Sequence, residues 1–148
     1  MFVDRNKNIT KNFKYKELFC DKALNMPEDA EQFLNLFYGC VNILQPIRDK
    51  FGEITISSGR RSRRYNKKIG GSNKSQHIIG EAFDIIPMTE EAFKVFEWCV
   101  YNLEYDQIIY EERNHVSKWI HISVKRLGRN RKESLVSLEK GKYQLYRG

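Results

Sequence analysis

The sequence predicts an α+β fold in a single domain, with N-terminal helices packed on a small antiparallel sheet. Three observations carry that expectation. Between Glu28 and Lys50 apolar residues recur at Phe33, Leu34, Phe37, Val41, Leu44 and Ile47, the three-and-four spacing of an amphipathic helix. Beyond Gly52, short segments rich in β-branched residues follow one another as strands do. The order is helices first, then strands with one helix inserted among them.

Taken in order, residues 13–20 (FKYKELFC) read as a short helical segment. Pro27 then stands near the start of the long helix, where a missing N–H is harmless. Pro46 is expected to kink the last turn of that helix or end it early. EITIS, Glu53 to Ser57, alternates and is β-branched, so it reads as a strand. Residues 58–76 are rich in Ser, Gly, Asn and basic residues and form a long functional loop, with a short helix over Arg63 to Lys68. EAFDII, Glu81 to Ile86, is a second strand. A helix over Glu90 to Asn102 follows, with Glu90 and Glu91 in its first turn. A hairpin comes next, in which Gln107 to Glu112 and Lys118 to Val124 flank the polar turn RNHVS. The basic, weakly patterned segment 125–148 extends a core spanning about 13–124, as an edge strand or a surface wrap.

The chain has 148 residues, 41% hydrophobic and 13% aromatic, which is enough to fill one core and excludes a disordered chain. No apolar run approaches the roughly 18 residues of a membrane span. The N-terminus lacks the apolar stretch of a signal peptide, so the expectation is a protein made and kept in a cytoplasm, or released by some other route. Cys20, Cys40 and Cys99 lack zinc-ligand spacing and read as reduced thiols. A net charge of +7 favours polyanionic partners: nucleic acid, anionic lipid or the anionic polymers of a bacterial wall.

The chemistry gathers around two of the three histidines. His77 follows a polar loop and precedes Gly80 and a strand. Asp84 lies inside the otherwise apolar strand AFDII, where a buried, unpaired carboxylate would be unfavourable by several kcal/mol. A solvated cleft or a bound cation resolves that problem. His121 sits in the same kind of setting, in WIHIS. Period-two geometry puts Ile108, Tyr110, Ile120, Ile122 and Val124 on a core face. It puts Gln107, Ile109, Glu111, Trp119, His121 and Ser123 on the other, which is a poor core but a good site. With Arg113 to Ser117 as the turn, Glu111 pairs with Trp119 and lies one diagonal step from His121. Glu112 points to the opposite face. Register therefore nominates Glu111 as acid/base, with Gln107 and Trp119 as neighbours able to contact substrate. Two imidazoles and one carboxylate make a three-ligand Zn2+ set with a fourth position open to water. Arg61, in the loop before His77, is a candidate donor to an oxyanion.

These residues resemble the zinc D-alanyl-D-alanine carboxypeptidases and L-alanyl-D-glutamate endopeptidases, which include many bacteriophage lysis enzymes and share a fold with hedgehog signalling domains. The resemblance runs from about Phe13 to Val124. Its specific blocks are SSGRRS, Asn66, IGGSNKSQHIIGEAFD, DQIIYE and WIHIS. It implies that His77, Asp84 and His121 are the zinc ligands, that Arg61 binds and polarises the substrate carbonyl, and that Ser75 lines the site. It also implies close backbone approach at Gly70 and Gly71. Two positions depart from the pattern. Lys118 stands three before the last ligand, where many members carry an acid. A phage-type subgroup resembles this chain in placing its acid at the end of the preceding strand, where Glu111 is. Arg60 stands where an aromatic is common, which is expected to bear on substrate preference.

The expected function is hydrolysis of peptide bonds in peptidoglycan stem peptides by a monomeric zinc enzyme of phage-type lysis, with the peptide and the anionic wall as partners. The alternative is a non-catalytic, zinc-containing wall-binding module, which Lys118 suggests. A nucleic-acid-binding role is motivated by RRSRR and KRLGRNRK, but neither run sits in a recognised nucleic-acid motif, and no specific nucleic acid is expected.

Overall fold

The computed structural model describes residues 3–148. Two 3₁₀ turns, Tyr15–Phe19 and Ala23–Asn25, lead into the long helix. Asp29 caps it by accepting from the Gln32 N–H at 2.9 Å. The helix runs as α1 (Ala30–Gly39), a π-helical turn over Cys40–Leu44, and α2 (Gln45–Phe51). Pro46 does not end it. The Gln45 N–H reaches back five residues to the Cys40 carbonyl, and this widened turn sits immediately before the proline, whose ring would crowd a regular one.

The helix buries the stripe its sequence spacing suggests only in part, at Leu44 and Ile47, and turns another face to the core before them. Leu36, Cys40, Ile43, Leu44 and Ile47 are buried, whereas Leu34, Phe37 and Val41 are each at least 41% exposed. Both stripes satisfy the three-and-four rule, because the helix carries apolar residues on two sides. The sheet selects between them: Phe83 closes on Gly39, where an added Cβ would lie 2.6 Å from the ring.

The sheet has six strands in the order β1-β2-β4-β3-β5-β6. They are β1 (Ile54–Ser58), β2 (Ala82–Pro87), β3 (Gln107–Arg113), β4 (Ser117–Ser123), β5 (Glu133–Glu139) and β6 (Lys142–Leu145). The first four pair antiparallel, as expected. The segment 125–148 supplies β5 and β6, and β5 lies parallel to β3, so the sheet is mixed and its C-terminal third is part of the same layer. The hairpin keeps the expected register, Glu111 opposite Trp119 and Glu112 opposite Lys118. Its strands run one pair further, to Arg113 and Ser117, because Asn114 and His115 both adopt positive φ and reverse the chain in three residues.

The short helix α3 (Arg63–Lys68) is capped by Ser62, whose hydroxyl accepts from the Tyr65 N–H. The inserted helix α4 begins at Ala92, with Glu91 as its N-cap rather than in its first turn. Together with α1 and α2 it covers one face of the sheet, against Phe83, Ile85, Ile108, Tyr110, Ile120 and Ile122. Strand alternation sends Asp84, Ile109, Glu111 and His121 to the opposite face. No helix among the described residues is long and apolar enough to cross a membrane.

Candidate active site

Register brings the site together. Asp84 on β2 lies directly opposite His121 on β4, and His121 in turn lies opposite Ile109 on β3. His77 arrives from the loop before β2. One ligand atom each from His77, Asp84 and His121 falls within 4.8 Å of the others.

The protonation of this group follows from its partners. His77 Nδ1 is 2.8 Å from the Gly59 carbonyl, which can only accept, so Nδ1 carries the proton and Nε2 presents a lone pair. Nε2 is buried without a hydrogen-bond partner and faces Asp84 Oδ1 at 3.4 Å. Burial pushes the His77 pKa down, against the pull of the Asp84 carboxylate, and so favours the neutral ring that ligates metals. Two electron-rich atoms facing each other in a largely buried site call for a cation between them. His121 Nδ1 converges on the same Asp84 Oδ1 at 3.0 Å. Burial alone would raise the Asp84 pKa, but the two imidazoles hold the carboxyl well below its usual range. The donor set of two imidazoles and a carboxylate, with a carbonyl fixing one imidazole from behind, fits a divalent transition metal such as zinc.

Arg61 completes the centre. Its Nη2 donates to Asp84 Oδ2 at 3.2 Å, leaving Oδ1 to the histidines. Nε donates to the Ser58 hydroxyl and Nη1 to Asn66 Oδ1. Asn66, buried on α3, is braced by its own bond to the Ser72 carbonyl. Gly71 makes that possible, since a Cβ there would sit 2.1 Å from Asn66 Oδ1, while Gly70 supplies a positive φ for the turn.

These groups open into a cleft of about 410 Å³. Arg61, Ser75, Gln107 and Glu111 all line it, as the sequence nominated. The Ser75 hydroxyl also accepts from the His77 N–H. Trp119 does not line the cleft: its indole N–H donates to Glu111 Oε2 at 3.0 Å, so it orients that carboxylate instead. Arg113 holds the other oxygen, Oε1, at 3.3 Å. Burial and the nearby Asp84 charge raise the Glu111 pKa, opposed by His121 and Arg113. Glu112 is turned away and accepts from the Tyr110 hydroxyl. Arg60 is not in the cleft either. It is buried and pins the loop by donating to the Ile78 and Met26 carbonyls, so its side chain does not meet a substrate there. Sequence reasoning missed Ser72, Lys74, Gln76, Arg131 and Tyr143 in the cleft wall. Ser72, Lys74 and Gln76 belong to the polar loop before His77 and were open to suspicion, but nothing local places Arg131 and Tyr143 there.

A mixed sheet with a His, Asp, His cluster at the floor of a polar cleft, flanked by a raised-pKa carboxylate and a fixed guanidinium, defines a candidate metal-dependent hydrolase. Residues 11–123 match the family model of Peptidase M15, and the chain belongs to that family. Peptidases of this family are zinc dependent. Among curated proteins the comparison found no match.

Proposed function

We propose that this protein is a zinc peptidase that cleaves peptide bonds in the stem peptides of bacterial peptidoglycan, of the D-Ala-D-Ala carboxypeptidase or L-Ala-D-Glu endopeptidase type, and that it serves phage-type cell-wall lysis after release from the cytoplasm. The observation that carries the zinc chemistry is the bare His77 Nε2 converging with His121 on Asp84 Oδ1. The family and the polar cleft support a peptide substrate, and the +7 charge suits an anionic wall.

His77, Asp84 and His121 would hold the ion. Zinc bound there supplies Lewis acidity and brings the pKa of an attacking water to near 7. Glu111 takes the proton from the attacking water and returns it to the departing amine. Its two oxygens are fixed by Trp119 and Arg113, so it needs no reorientation between the two transfers. Arg61, tied at all three guanidinium nitrogens, stands ready to donate to the oxyanion as the carbonyl becomes tetrahedral. Ser75 and Gln107 bind the peptide along the cleft wall.

The first test is zinc content by elemental mass spectrometry on zinc-dialysed protein, beside a folded His121→Ala variant. One zinc per chain in the parent and none in the variant is expected, with muropeptide digestion in the parent alone. A folded parent that takes up no zinc would overturn the mechanism and favour a wall-binding module.

A further inference from the structure

The cleft has a second guanidinium, which the zinc chemistry does not use. Arg131 lies beyond the family-matched residues 11–123, at the start of the C-terminal strand pair, yet it lines the same cleft as the metal centre. Its placement is built rather than incidental. Asp106, fully buried at the start of β3, accepts from the Arg131 backbone N–H at 2.9 Å, from Nη2 at 2.8 Å and from Nε. The same carboxylate accepts from Gln76 Nε2 at 3.0 Å, one residue before His77. One buried acid thus ties the His77 loop, β3 and the C-terminal segment together. It fixes one edge of the Arg131 guanidinium and leaves the side chain half exposed to the cleft, with Nη1 3.8 Å from Glu133. A guanidinium held along one edge keeps its remaining N–H groups aimed, so it offers a directed fork to a carboxylate at little entropic cost.

We infer that Arg131 is a specificity-determining residue that binds the free glutamate α-carboxylate of the substrate stem peptide, and that Asp106 is the positioning residue that aims it. This inference rests on the peptide substrate proposed above. Arg61 does not serve this purpose, because Asp84, Ser58 and Asn66 hold it beside the metal centre, where it is assigned to the oxyanion. Lys74 also lines the cleft but is a solvated surface ammonium with no comparable anchor. The exposed Tyr143 of β6 completes the wall beside Arg131.

The test is calorimetric binding to the zinc-loaded Glu111→Gln protein, which keeps the ligands and removes the proposed base. The probes are two synthetic stem peptides with amidated C-termini, one with a free glutamate α-carboxylate and one with that group as carboxamide. About tenfold tighter binding of the carboxylate form is expected, shrinking as salt is raised. In Arg131→Gln the two affinities should fall within about twofold of each other, and in Asp106→Asn the preference should drop while carboxamide binding holds. Arg131→Lys, which keeps the charge without the fork, serves if the glutamine variant folds poorly, and should lose most of the preference. Equal binding of the two probes, or a preference that survives in Arg131→Gln, overturns the inference and in the second case points to Lys74. Binding with the preference but no cleavage by the parent enzyme would sink the peptidase reading and leave the carboxylate site standing. Failure to bind either probe sinks both.

Discussion

At the scale of single residues, Glu111 shows how neighbours set a role. Burial and the Asp84 charge raise its pKa, while His121 and Arg113 restrain the rise. As the proposed base, Glu111 would work only when deprotonated, so kcat/KM should fall as pH drops through this raised pKa, and the acidic limb should lie above that of a free glutamate. Replacing Arg113 with Met removes the restraining cation and should move the limb to still higher pH in a pH-rate profile; an unmoved limb would assign it to another group. Glu111→Gln should keep one zinc per chain and lose about 10²- to 10⁴-fold in kcat on muropeptide. Retained turnover would place the base elsewhere, with Glu112 the next acid in line although it faces away. The sequence already separated these two acids, since alternation along a paired strand decides which one shares a face with His121. It could not show that Trp119 serves Glu111 rather than substrate, because that depends on where the indole N–H points.

At the scale of elements, the loop between β1 and β2 is braced by close packing more than by regular structure. Gly59 brings its carbonyl to His77, and a Cβ there would fall 2.0 Å from the Leu18 carbonyl oxygen. Gly71 makes room for Asn66, which holds Arg61. Gly71→Ala should therefore displace Asn66 and loosen Arg61, losing up to about 10²-fold in kcat/KM while zinc content is unchanged. Lost zinc would mean that the whole loop had moved rather than Arg61 alone. The element boundaries were largely legible, including the hairpin register and the short helix over Arg63–Lys68. The helix face was not. Leu34, Phe37 and Val41 obey the same periodicity as the buried stripe, and only contact with Phe83 and the sheet distinguishes the two.

At the scale of the molecule, the C-terminal strands change what the core is. β5 gives β3 a second partner and seats Arg131 on buried Asp106. Tyr146 packs on Phe93 and Phe96 and donates to Glu97, fastening the chain end over α4. A chain ending at Val124 should leave Asp106 without its main cationic partner and β3 as an open edge. Asp106 is buried while Arg131 is half exposed, so calorimetry should show a lower melting temperature from the loss of the pair together with the strand pairing of β5 on β3, with a tendency to aggregate through the bare edge. A truncated chain that melts with the parent would show that 125–148 is dispensable to the fold.

The sequence by itself determined the α+β class, the strand that carries Asp84 into an apolar context, and the pairing that puts Glu111 and His121 on one face. These follow from local periodicity and from the penalty on burying an unpartnered charge, both of which act over a few residues. Only the tertiary structure decided which helix stripe is core, that Arg60 is a buried brace, and that β5 joins β3 in parallel to bring Arg131 to the cleft. Parallel pairing across some twenty residues leaves no local signature, since its energy lies in contacts between segments whose own patterns are weak.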